Sequence, residues 1–238
     1  MPDQKRLARI AGALYLFVII FGLFAEVFVR QALRVPGDAA ATAILIRNGE
    51  RLYRLGIVAD VLNFVIGIPV VLIIYIIFKK TNKFLVTLAV VLVVIQTAVI
   101  ATNLLNQISP LLYLGTDPYL SAFTPSQLAA LSAQAVALHA QGYGIGLVFF
   151  GFYCLIIGYL VWKSARVPRL PGILYGLAGL SYLINSLTML LSKDFSNPLF
   201  PVYASVSFIG ELSFCLWLLI KGVKPEPTAL EQRDHFYK

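Results

Sequence analysis

Apolar residues fall into six long blocks separated by short polar or charged connections: Leu7–Val29, Leu55–Phe78, Phe84–Asn106, Ala135–Trp162, Leu170–Leu191 and Val202–Ile220. Each approaches the roughly 20 residues that an α-helix needs to cross hydrocarbon. In lipid, every backbone polar group must be satisfied within the protein, which leaves helices or a closed barrel; continuous apolar runs lack the alternation of barrel strands. The pattern predicts an all-α integral membrane bundle of six transmembrane helices. It occupies one domain, residues 1–222, followed by a flexible cytoplasmic tail, residues 223–238.

The connections carry their own signals. After the first block, Val35-Pro36-Gly37-Asp38 punctuates the chain and Asp38 can cap a new helix, predicting a short interfacial helix on the external side. Thr124-Pro125-Ser126-Gln127 reads as an N-cap, a proline at the first helical position and a reciprocal capping Gln. A helix from Pro125 to Trp162 would be roughly 57 Å long, more than the hydrocarbon core, so it projects outward or breaks. Gly142, Gly144 and Gly146 are the natural place for a bend or a close helix crossing, and Gly172, Gly176 and Gly179 mark a second close approach.

Composition agrees with a bilayer environment: 59% of residues are hydrophobic and only 13% charged, against about 25% charged in soluble domains. The net charge of +8 does not mark a nucleic-acid surface, because Lys and Arg gather at block ends rather than along one face. Lys5, Arg6 and Arg9, then Lys79, Lys80 and Lys83, then Lys163, Arg166 and Arg169, and finally Lys221 and Lys224 occupy alternate connections. Basic loops stay cytoplasmic, so both termini are expected inside, in a multi-pass protein of the cytoplasmic membrane. The first external loop runs against this, with Arg30, Arg34, Arg47, Arg51 and Arg54. The basic start and apolar middle of the first block could pass for a signal peptide. A retained helix fits better, since the apolar run continues to Val29 and its removal would upset the alternation of loop charge. Cys154 and Cys215 lie within predicted helices, where they read as small packing residues.

Against this background four ionisable residues stand out inside or at the outer ends of the blocks: Glu26, Asp60, His139 and Glu211. Intramembrane charge costs a few kcal/mol and normally faces a bundle interior or wet cavity, with a partner. Glu26 has Arg30 four residues on, and Glu50 has Arg54, both spaced for structural ion pairs. Asp60 could accept from Arg51 or Arg54, or bind inside the bundle. Helical spacing aligns Gly56, Asp60, Asn63 and Gly67; Gln96, Asn103 and Gln107; Ser181, Asn185, Thr188 and Ser192; and Ser207 with Glu211. Glu211, Asp60, His139, Glu26, Asn103 and Asn185 are therefore the ligand-binding candidates, weighed against plain interhelical hydrogen bonding. His139, Asp60 and Glu211 could supply a metal with one imidazole and two carboxylates. No HExxH, CxxC, Walker loop or serine elbow accompanies them.

The stretches ARIAGALYLFVIIFGLFAEVFVR, VPGDAAATA, RLGIVADVL, FGFYCLIIGYLVWKSARVPRLPGILYGLAGLSYLINS and GELSFCLWLLIKG together resemble a bacterial polytopic family catalogued as domain of unknown function 4386 (DUF4386). The likeness runs from Arg6 to Gly222 and rests on the order of segments. It implies a multispanning bacterial membrane protein and carries no established activity, cofactor or catalytic residue. Four readings stay open. The first is an outward-facing polar cavity for a small molecule, lipid head group or ion, with Glu211 and Asp60 as anionic anchors and His139 as the pH-sensitive member. The others are an intramembrane metal-dependent hydrolase, a transporter, and a structural or regulatory subunit. The only partner the sequence names is the lipid bilayer.

Overall fold

A computed structural model describes residues 3–193 and 195–225; the expected tail beyond residue 225 lies outside the described residues. Among the described residues all regular structure is helical. Helix α1 (Gln4–Leu23) passes directly into a π-helical segment (Phe24–Gln31). Then follow α2 (Ala39–Asn48), α3 (Glu50–Phe78), α4 (Lys83–Tyr113), a 3₁₀ turn (Pro118–Ala122), α5 (Pro125–Ser164), α6 (Arg169–Leu191) and α7 (Phe200–Ile220). Six of these helices are long and apolar enough to cross a membrane, counting α1 and its π segment as one. Large apolar side chains remain exposed on all six, among them Phe17, Val65, Val94, Phe152, Leu191 and Ile209. A soluble protein does not show water so much apolar surface, whereas hydrocarbon takes it without penalty.

The caps form from the residues the spacing indicated. Asp38 accepts from the Ala41 amide at 2.8 Å and starts α2. Thr124 Oγ1 accepts from the Gln127 amide at 3.3 Å while Gln127 Oε1 accepts from the Thr124 amide at 2.8 Å. One boundary differs from expectation. Helix α4 continues through Pro110 to Tyr113, where Leu111 and Leu114 pack onto a buried cluster of Val29, Leu33, Ile46 and Tyr53. That packing offsets the one ladder hydrogen bond the proline cannot make. Helix α5 runs 40 residues without a break. Of the two roles open to its glycines, Gly142 and Gly146 take the close crossing: a Cβ at Gly142 would collide with the Asn103 amide, and one at Gly146 with Ile100.

The chain resolves into two compact units. The first comprises Met1–Leu16, Ile66–Ile95 and Leu147–Lys238; the second comprises Phe17–Val65 and Gln96–Gly146. The first unit buries Tyr175, Phe214, Ile74, Ile77, Phe78 and Leu160. Glycine contacts bring its helices together: Gly158 lies against Gly172 and Gly176, and Gly151 against Gly179. Cys154 and Cys215 are buried free thiols, and Cys215 Sγ donates to the Gly12 carbonyl at 3.3 Å. Arg166, placed among the topology-setting loop cations by the sequence, is 3% exposed. Ala165, at φ 53°, turns the chain out of α5. Arg166 then donates to the Ile77 carbonyl at 2.6 Å, to the Lys224 carbonyl at 3.2 Å and to Gln4 Oε1. One guanidinium thereby covers a carbonyl at the end of α3 and ties in both the start of α1 and the segment after α7.

Candidate functional site

In the second unit, the first span and α3 come together because Gly56 makes room. Val29 Cγ1 lies 2.7 Å from where a Gly56 Cβ would stand. The same helices are joined lower down by Asn63, whose amide donates to the Val18 carbonyl at 2.8 Å, with Gly22 beside it. Just past this intrusion the first span widens into its π segment. Such departures from α geometry occur where a side chain enters the backbone ladder. Arg30, next to Val29, is thereby brought to Asp60.

The Arg30 guanidinium donates from Nε to Glu26 Oε2 at 2.7 Å and from Nη1 to Asp60 Oδ2 at 2.6 Å. Exposure grades across the trio: 2% for the Asp60 side chain, 15% for Arg30 and 39% for Glu26. The same guanidinium lies 5.3 Å over the Tyr143 ring of α5. Asp60 takes this cation and not Arg51 or Arg54. Nine and six residues of helix turn those side chains about 180° and 120° away from Asp60. Arg54 instead pairs with Glu50 at 2.8 Å, on an exposed face beside an open cleft of about 280 Å³ between α2 and the end of α4.

Helices α4 and α5 extend the polar region. Asn103 fits beside Gly142 and donates from Nδ2 to the His139 carbonyl at 2.7 Å; Nδ2 also lies 3.3 Å from His139 Nδ1. Nδ1 also lies 3.4 Å from the Asn103 carbonyl, an acceptor only, so the two contacts of Nδ1 fit opposite ring tautomers. Nε2 is buried and has no hydrogen-bond partner. Ser186 of α6, in the first unit, shares this condition, as do Ser132 and Gln107 of the second. Ser132, two turns before His139 on α5, leaves its hydroxyl unpartnered. Gln107, one turn beyond Asn103 on α4 and 1% exposed, approaches the Asp60 carboxylate yet completes no hydrogen bond of ordinary geometry. Glu26, Asp60 and one arginine leave this region one negative charge in excess, counting His139 as neutral.

Glu211 and Asn185 lie in the first unit. Glu211, on α7, accepts from the Tyr15 hydroxyl at 2.8 Å on Oε2 and from the Tyr182 hydroxyl on Oε1. Tyr15 and Tyr175 hydroxyls are 3.1 Å apart. Among the described residues no Lys, Arg or His forms an ion pair with Glu211. Asn185 Oδ1 accepts from the Asn197 amide at 2.9 Å, which ties α6 to the segment before α7. The structure therefore gathers Glu26 and Asp60 around Arg30, pairs His139 with Asn103, and surrounds Glu211 with phenols. Among the described residues no three His, Cys, Asp or Glu side chains form a set that could hold a metal ion. The spacing of the polar seams shows Gln107 but gives it no role. Tyr15, Tyr175 and Tyr182 carry no sequence signal, because tyrosine within an apolar run reads as packing.

An uncharacterised protein of Archaeoglobus fulgidus is 32% identical over 80 residues, which is 34% of this chain and 46% of that protein. The chain thus spans less than half the length of this archaeal relative. No solved structure matches. The family profile described as domain of unknown function (DUF4386) matches residues 10–222, which takes in α1 from Ile10, every later helix and both polar networks, and the chain belongs to this family.

Proposed function

We propose that the protein binds a small polar ligand within the second unit, with Asp60 and Glu26, held in place by Arg30, as anionic anchors and Gln107, His139 and Ser132 as hydrogen-bonding groups. The observation that carries this reading is that Gln107, His139 and Ser132 each hold a buried polar atom that completes no hydrogen bond of ordinary geometry. A buried donor or acceptor left unmade costs about 1–3 kcal/mol, and such groups are normally covered by protein or by ordered water. Three together beside an ion-paired cluster favour a site filled by solvent or ligand over a packed polar seam. The excess negative charge favours an occupant carrying positive charge, such as an inorganic cation or a protonated amine.

The alternating basic connections further support a cytoplasmic-membrane orientation with both termini inside, which opens the Arg30 end of the first span outward. Stability of the purified protein in neutral detergent against a panel of alkali cations, divalent cations, amino acids and phosphate head groups tests the reading. A concentration-dependent rise in Tm is expected for at least one positively charged compound, and its loss in Asp60→Asn and Gln107→Leu. If no compound shifts Tm and Gln107→Leu only stabilises the protein, the polar groups serve helix packing and the proposal fails.

A further inference from the structure

We propose a second binding site, in the first unit, for a soluble organic ammonium ion, formed by Glu211 and the aromatic side chains around it. Glu211 stands midway along α7, in the middle of a span and remote from head-group level. A carboxylate there normally carries a counter-ion. Arg30 provides one for Asp60, but the described residues provide none for Glu211. The hydroxyls of Tyr15 and Tyr182 occupy one position on each carboxylate oxygen, and Tyr175 can donate in turn to Tyr15. Every donor in this chain can point toward the carboxylate. The two phenols take one position each, and a carboxylate has about four lone-pair positions, so two stay open.

What surrounds those positions determines the class of ligand. Tyr15 meets Tyr175 edge-on at 6.5 Å between ring centroids, and Tyr153 meets Tyr175 edge-on at 6.3 Å. Phe214, one turn from Glu211 on α7, lies 4.8 Å from Tyr175. Phe150 meets Tyr182 at 5.5 Å. Tyr15, Tyr153, Tyr175 and Phe214 are buried, while Glu211, Tyr182 and Phe150 are partly exposed. A carboxylate among aromatic faces is the chemistry that recognises an alkylated ammonium group, whose diffuse charge prefers π faces to water. A compact inorganic cation would instead seek several oxygen ligands. The aromatic surround thus selects an organic ion over a metal ion.

Isothermal titration of the purified protein in a neutral maltoside detergent tests this, with choline and tetraethylammonium as probes and 3,3-dimethyl-1-butanol as the uncharged counterpart of choline. Saturable binding of at least one cation is expected, with none for the alcohol. Affinity should fall at least ten-fold in Glu211→Gln and in Tyr182→Leu, survive in part in Glu211→Asp, and stay unchanged in Glu50→Gln, which alters only an exposed pair. The cooperative thermal transition of each variant verifies folding. Absence of saturable binding by both cations overturns the proposal, as does equal binding of the alcohol or unchanged affinity in Glu211→Gln. Loss in Asp60→Asn with Glu211→Gln unaffected assigns the cation to the second unit and also overturns it.

Discussion

The two units bury carboxylates by different means. Asp60, in the second, is matched to a guanidinium that it shares with Glu26. Glu211, in the first, is matched to phenol hydroxyls and to no cation among the described residues. An internal ion pair returns Coulomb energy for the desolvation of both charges, but it leaves each partner dependent on the other. Phenol donors stabilise the carboxylate less, and no cation is left stranded when it is removed. One solution fixes a structure and the other leaves a charge available, so neutralising mutations should act unequally on the two.

The largest effect is expected for Arg30→Met. It leaves Asp60 buried without its cation and should cost about 3–5 kcal/mol, read as a fall in Tm or in the denaturant midpoint. Arg30→Met with Asp60→Asn should recover most of that loss. A single variant as mild as the double would erase the contrast between the units. A smaller effect is expected for Tyr15→Phe, which removes the donor to Glu211 Oε2 and the hydroxyl facing Tyr175. Hydrogen bonds to charged groups contribute about 1.5–3 kcal/mol, and Glu211→Gln should cost less than Arg30→Met by the same measurement. If Glu211→Gln proves the more damaging, Glu211 has a structural counter-charge and the comparison fails. The smallest effect belongs to the exposed Glu50–Arg54 pair. Arg54→Ala should change stability by no more than about 0.5 kcal/mol, and that difference should shrink further at high salt.

Several features followed directly from local sequence. The six spans, the Asp38 cap and the Thr124–Gln127 capping box depend on residues near one another in the chain, and hydropathy or helix-end chemistry describes them well. Glu26 with Arg30 and Glu50 with Arg54 stand at the distances that four-residue spacing implies. The partner of Asp60 was not legible in the same way. Arg30 is remote from it in sequence, and the contact depends on Gly56 accepting Val29 and on the π segment beyond Asn63. The unbroken α5 was equally hidden, since three glycines can either bend a helix or admit a neighbour, and only the neighbour's position decides. Arg166 looked like a loop cation until the turn at Ala165 folded it onto the carbonyls of other helices.

The sequence by itself determined that this is a six-span helical protein, which helix ends are capped and where intramembrane charge occurs. Those properties arise from transfer of apolar blocks into hydrocarbon and from hydrogen bonding within a turn or two of helix. Only the tertiary structure decided which charges meet, which hydroxyls serve Glu211 and which buried groups lack a partner. Such pairings depend on helix phase, crossing distance and the space left by a missing Cβ. They become defined only when distant segments pack against one another.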